Sequence, residues 1–194
     1  MRVIAGRARS LKLKTPDGTA TRPTTDRIKE TLFNMIQGEI PECIFIDLFA
    51  GSGGIGIEAL SRGAAHAYFV ENGREAISCI QDNLSFTKFS DNATLLKQDV
   101  FSALSMISEK EADIIFIDPP YQAGFETEIF KKLKQQPYVT ENTLLILEAE
   151  LNMNMDFLQE IGFKVVKEKK YKTNKHVFIR KEELDESSNL PRKF

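Results

Sequence analysis

Cysteine and histidine are scarce in this chain, with two of each among 194 residues. Cys43 and Cys79 have neither metal-ligand spacing nor the pattern of a disulfide framework, so reduced, buried thiols are expected. His66 and His176 stand alone in strand-like segments and read as structural. Long apolar runs are missing too, and no stretch reaches the length of a bilayer-spanning helix. The opening "MRVIAGRARSLKLKTPDG" lacks the apolar segment of a secretory leader, which makes a cytoplasmic protein the expectation. Metal chemistry, disulfide stapling and membrane insertion are thereby set aside.

Positive charge is also short overall, the net charge being −2. Its distribution is uneven. Residues 1–29 carry a balance of +6 and residues 164–181 a balance of +7, which leaves −15 for the remainder. Two basic segments flanking an acidic body suggest a localised footprint for a polyanion, although charge runs on strands are also ordinary solvated faces.

What is present is a regular alternation of strands and helices. "RVIAGRARSLKLK" followed by "TPDG" reads as a small basic hairpin. Thr24 or Thr25 can cap a helix whose apolar stripe is Ile28, Leu32, Phe33 and Ile36, ended by Gly38 and Pro41. Strands are then expected at 43–49, 66–71, 93–99, 112–118 and 142–150, with helices at 54–63, 74–88, 101–109, 125–136 and 153–161. Phe125 reads as a second stacking surface or as core of its helix, and core is favoured. "FKVVKEKKYK" and "KHVFIRK" read as two final strands joined at Thr173–Asn174. The pattern predicts a doubly wound α/β fold, mostly parallel with one antiparallel edge strand, plus a small N-terminal basic hairpin and helix.

"DLFAGSGGIGIEAL" (47–60) leaves the first strand of this alternation and opens its helix. Gly51, Gly53 and Gly56 spell G-x-G-x-x-G, and Glu71 follows 20 residues after Gly51 at the end of the next strand. In that context the turn reads as nucleotide-binding, with the acid on ribose hydroxyls. Asp47 narrows the choice. A carboxylate at the strand end repels a pyrophosphate but attracts a cationic amino group. S-adenosylmethionine, with an ammonium, a sulfonium, a ribose and an adenine but no phosphate, fits. Asp99, at the end of the third strand, would accept from the adenine amino group. Taken singly, Asp47 also reads as a cap on the glycine loop and Asp99 as a helix N-cap. The cofactor contacts expected are Asp47, Phe49, Ala50, Gly51, Ser52, Gly53, Glu71, Asn72, Asp99 and Val100.

"FIDPPY" ends the fourth strand. An exocyclic amino group is a weak nucleophile because its lone pair is delocalised into the ring. It improves if both N–H groups are held by acceptors. Asp118 can accept one and the carbonyl of Pro119 the other, with Pro120 stiffening the turn. Tyr121 offers a face on which an extruded base can stack. The catalytic set is thus Asp118, Pro119, Pro120 and Tyr121, with no metal required.

"DLFAGSG", "FVE", "QDVF" and "DPPY", in this order, resemble the amino-group class of Rossmann-type S-adenosylmethionine-dependent methyltransferases. "MRVIAGRARSLKLKTPDGTATRPTTDRIKETLFNMI" joined to "DLFAGSGGIGIEALSRGA" resembles, more narrowly, the RsmD family of 16S rRNA guanine-N2 methyltransferases. The resemblance runs to about residue 181. It implies methylation of a guanine N2 in 16S rRNA, within an assembled or partly assembled small ribosomal subunit. The chain is expected to divide into a hairpin and helix region at 1–40 and a methyltransferase domain at 41–181, with the polar tail at 182–194 disordered. The chain departs from the family at Asn72, where a lysine is common, and at "YKTNKHVF", which lacks the family's glycine. Arg7, Arg9 and Lys12 of the arm suit phosphate contacts. Arg22, Thr24 and Arg27 read as a lid over the cleft, although Arg27 also suits pairing with Asp26 or Glu30. The competing readings are DNA adenine-N6 methylation, a nicotinamide-dependent oxidoreductase and a non-catalytic RNA-binding assembly factor.

Overall fold

The computed structural model describes residues 1–16, 26–120 and 124–182. The strands β1 (Ile44–Asp47), β2 (His66–Val70), β3 (Ala93–Leu96), β4 (Ile114–Ile117), β5 (Leu144–Glu150), β6 (Phe163–Lys170) and β7 (Asn174–Lys181) share one sheet, ordered β3-β2-β1-β4-β5-β7-β6. Strands β1 to β5 pair in parallel, and β7 runs antiparallel to both β5 and β6. The antiparallel edge is therefore a hairpin whose second strand tucks inward, leaving β6 outermost. The sequence order explains this. No helix separates β6 from β7, so β7 returns beside β6 and fills the gap next to β5.

Helices α1 (Asp26–Met35), α2 (Gly54–Ser61) and α3 (Arg74–Thr87) cover one face, and α4 (Val100–Leu104), α5 (Phe125–Lys134) and α6 (Asp156–Ile161) cover the other. Alternation along each strand divides the core. Phe45, Phe116 and Ile146 point to the first layer, whereas Ile46, Ile115 and Leu147 point to the second. Both faces are dry, hence the near-continuous apolar strands. Burying a side chain such as Phe33 or Leu32 contributes about 2 kcal/mol. Strand β6 is different, because from Lys164 onward it is exposed. Its lysines and a bulge between Val165 and Lys167 blunt the free edge.

The N-terminal arm is a hairpin, closed by Val3 N–H to the Leu11 carbonyl (2.9 Å) and Ser10 N–H to the Val3 carbonyl (2.9 Å). Val3, Ala8 and Leu13 are buried in the first layer. Glu58 of α2 fastens the arm. Its carboxylate accepts from the backbone N–H groups of Ile4 (2.8 Å) and Ala5 (3.0 Å) and pairs with Lys29 (3.2 Å) and Arg62 (2.8 Å). Burial pulls the Lys29 pKa down, against the opposing pull of Glu58. Such a network adds little by itself, but removing one partner strands a buried charge.

Candidate active site

The strand order reverses between β1 and β4, and ligands of such sheets bind in the crevice beyond those two carboxyl ends. Each rim of this crevice carries a sequence motif. After β1 the chain turns through residues 48–53 into α2. The turn is tied down by Ala50 N–H to the Val70 carbonyl (2.9 Å) and Gly51 N–H to Glu71 Oε2 (2.8 Å). Asn83 of α3 donates to the Ser52 carbonyl (2.9 Å). Gly53 has φ +81°, a left-handed conformation that disfavours other residues. Gly56 serves close approach, since a Cβ there would lie 2.4 Å from the Phe69 ring.

Asp47 ends β1 with its carboxyl buried. Oδ2 accepts from Gly56 N–H (3.2 Å), and Oδ1 has no hydrogen-bond partner among the described residues. Burial, with a smaller push from Glu71, raises its pKa to about 7. Asp47 pairs with Phe116 in the β1–β4 register, so Asp118, two residues further on, shares its face. Burial beside Glu148 and Asp47 raises the Asp118 pKa well above the usual carboxylate range. Pro119 is buried and Pro120 exposed. An orphaned buried carboxylate oxygen and a protonatable neighbour suit a cationic ligand and a hydrogen-bond-donating substrate.

Beside the glycine turn, Phe49, Glu71, Asn72, Gln98, Asp99 and Val100 help line a small cleft. Glu71 accepts from three backbone N–H groups, those of Gly51, Asn72 (3.0 Å) and Gly73 (2.7 Å), so its position is rigid. Asp99 caps α4, accepting from the N–H groups of Phe101 (3.0 Å) and Ser102 (3.1 Å) and from the Ser102 hydroxyl (2.6 Å). These bonds, Ser102 foremost, hold its pKa low. The helix-cap reading of Asp99 is therefore realised, at the rim of the same cleft.

The predicted catalytic and substrate residues are not all brought together. Tyr121, Arg22 and Thr24 lie outside the described residues, as does the tail beyond residue 182. Arg27 is exposed on α1, and its neighbour Asp26 is held by Arg2 (3.2 Å). Arg7 lies with its guanidinium over the Phe89 ring (5.1 Å) and its N–H on the Ser61 carbonyl (2.8 Å), at the end of α2 away from the glycine turn. Met1 packs against Gly54 at the other end. Arg7 and the exposed Arg9 are thus set back from Asp118 by the length of α2, roughly 12 Å. Exposed Lys12, paired with Arg2 across the hairpin, sits nearer the turn. Phe125 is not core. It is exposed and meets Phe101 edge-on (5.9 Å), because the buried stripe of α5 is Ile129, Phe130 and Leu133. Cys43 and Cys79 are both buried, as expected. Among the described residues no cluster of side chains could hold a metal, and no helix is long and apolar enough to cross a membrane.

One polar group at the site is absent from the sequence reading. Glu148 of β5 accepts from Asn174 Nδ2 and, through Oε2, meets His176 Nε2 at 3.2 Å. His176 Nδ1 lies 3.1 Å from the Tyr171 hydroxyl. The available signal was an acid interrupting the apolar strand "LLILEAE".

A family model described as Conserved hypothetical protein 95 matches residues 1–180. Ribosomal RNA small subunit methyltransferase D of Escherichia coli (strain K12) is 37% identical over 153 residues, which cover 78% of this chain and 75% of the relative. YlbH of Bacillus subtilis (strain 168), named as a candidate rRNA methyltransferase, is 36% identical over 157 residues, 80% of this chain and 85% of the relative. The solved structure of Escherichia coli yhhF, a methyltransferase candidate, aligns with a TM-score of 0.79 at 31% identity, covering 94% of this chain and 98% of that one.

Proposed function

Because this chain belongs to the RsmD family, the family described as Conserved hypothetical protein 95, we propose that it is an rRNA methyltransferase that uses S-adenosylmethionine. Its substrate is the exocyclic N2 amine of one guanine in the 16S rRNA of a small ribosomal subunit. The observation that carries this reading is the juxtaposition of Asp118 with Asp47: the acid of the D-P-P turn and the acid beneath the glycine turn face one crevice.

The residues fit the cofactor. The unpartnered Oδ1 of Asp47 suits the cationic amino-acid end. Glu71, held rigid by backbone donors, suits a ribose diol, and Asp99 keeps acceptor capacity at the cleft rim for an adenine amine. Phe49, Asn72 and Val100 supply the walls. The backbone of Ala50, Gly51, Ser52 and Gly53 permits close approach. When bound, the cofactor supplies an electrophilic methyl on a sulfonium.

Every other requirement falls on this chain. Asp118 accepts one N–H of the amine and the Pro119 carbonyl accepts the other, which pulls the nitrogen toward tetrahedral and localises its lone pair for attack on the methyl. Pro120 limits the freedom of that carbonyl, and Tyr121 offers the stacking face. As the nitrogen gains its new bond it must lose a proton. Asp118, with its raised proton affinity, is placed to take it. Arg7, Arg9, Lys12, Arg22, Thr24 and Arg27 serve RNA binding, the arm residues through phosphate.

The test is transfer of labelled methyl to small subunits prepared from cells lacking the enzyme, with naked 16S rRNA and duplex DNA alongside. The expected product is N2-methylguanine in subunit RNA. Asp118→Ala should lower the rate about 100-fold or more while retaining cofactor binding. Label appearing in DNA as N6-methyladenine would overturn the substrate assignment. Unchanged transfer by the variant would overturn the role of Asp118.

A further inference from the structure

We propose that Glu148 selects the base, by accepting the N1–H of guanine beside the amine held at Asp118. The inference rests on the proposed transfer to a guanine N2 and adds a residue and a criterion to it. The β4–β5 register pairs Ile117 with Leu147, so the next positions, Asp118 and Glu148, stand side by side on adjacent strands. Parallel neighbours lie about 4.8 Å apart and point to the same face. Two carboxyl groups are therefore presented as a row of acceptors where the substrate edge must lie. Guanine is the base whose edge offers donors in matching order, N2–H next to N1–H. Adenine and cytosine place a lone pair at the position adjacent to the amine and would meet Glu148 with repulsion.

The support behind Glu148 argues for recognition. His176 is fully buried, directly opposite Glu148 in the β5–β7 register. Its Nε2 lies 3.2 Å from Glu148 Oε2 and its Nδ1 3.1 Å from the Tyr171 hydroxyl, so the Nε2–H tautomer would donate to Glu148 and accept from Tyr171. Asn174 donates to Oε1. Each oxygen of a carboxylate offers more than one acceptor site, and these bonds orient the group. Asn174 Oδ1, buried in the same cluster, has no hydrogen-bond partner among the described residues. The cluster draws on β5, β7 and the β6–β7 turn for a carboxyl seven-hundredths exposed beside Asp118. Such an assembly matches a specificity element, since a site built to hydrogen-bond a particular donor rejects the analogue that lacks it.

The test changes the substrate before the protein. Subunits are reconstituted with 2-aminopurine at the nucleotide the enzyme labels. That base keeps the N2 amine and has an acceptor in place of the N1–H. Wild-type enzyme should methylate it about 100-fold more slowly than guanine at equal cofactor saturation. Glu148→Gln can donate to the 2-aminopurine N1, so it should lose activity on guanine and bring the two bases within about threefold of each other. A merely structural role for Glu148 would lower both rates together. Equal rates on the two bases by wild-type enzyme, or undiminished discrimination by Glu148→Gln, would overturn the proposal. Should the variant fail to fold, equal wild-type rates on the two bases would still overturn the proposal. If wild-type enzyme forms no N2-methylguanine at all, the guanine reading falls first and this inference with it.

Discussion

Neutralising Asp47 should separate stability from cofactor affinity. Burial and the neighbouring Glu71 push its pKa up to about 7, so the free enzyme holds a proton there at mildly acid pH. A cationic ligand binds the ionised form and must displace that proton. With a pKa near 7 in the free enzyme and a low one in the complex, affinity should rise about 15-fold between pH 5.5 and 7.0. The amine of the cofactor stays charged over that window. Isothermal titration calorimetry in buffers of different ionisation enthalpy measures both the affinity and the released proton. Asp47→Asn should flatten the slope and bind as weakly at pH 7 as wild type does at pH 5.5. The stability consequence has the opposite sign. Because the folded pKa lies above the unfolded value of 3.8, stability rises as pH falls from 7 toward 4, and the penalty is complete above pH 7. That penalty is about 4 kcal/mol. Asparagine leaves an unmade hydrogen bond that costs about 1–3 kcal/mol. Asp47→Asn is therefore expected to be more stable than wild type at pH 8, by about 1–3 kcal/mol in denaturant unfolding. A pH-independent affinity in wild type, or a variant that keeps the slope, would refute the cationic-ligand reading of Asp47.

Gly56→Ala should destabilise the fold by about 1–3 kcal/mol, because its Cβ meets the Phe69 ring at 2.4 Å. A smaller partner in Gly56→Ala/Phe69→Leu should recover part of the loss in urea melts. Reversing charge at the arm tip with Arg9→Glu should weaken RNA binding and reduce the slope of log affinity against log salt by about 1. Cofactor affinity, read at the other end of α2, should not change. An unaltered salt slope would remove the arm tip from the RNA interface.

The two motifs of the crevice were legible because both are local. A strand, a turn and a helix N-terminus within a dozen residues need only glycines at the right places, and Gly53 and Gly56 have distinct geometric reasons to be glycine. The βα alternation was legible because strands buried on both faces are continuously apolar. Residue type alone could not rank the uses of one side chain. Asp99 is both a helix cap and a rim residue, and only the fold shows the cap made. Phe125, the first residue of α5, read as core, but the buried stripe of that amphipathic helix includes Ile129, Phe130 and Leu133, and Phe125 turns outward beside Phe101.

The succession of strands and helices and the placing of acids at strand ends were thus determined by local pattern, since strand length, glycine and proline act within a few residues. The tertiary structure alone decided which acids face one another. Glu148 and His176 are 28 residues apart and meet because β7, lacking a helical crossover, folds back between β6 and β5. Asp47 and Asp118 meet because the strand order reverses between β1 and β4. Burial in that shared place, which no single segment specifies, moves their proton affinities and makes the crevice chemically capable.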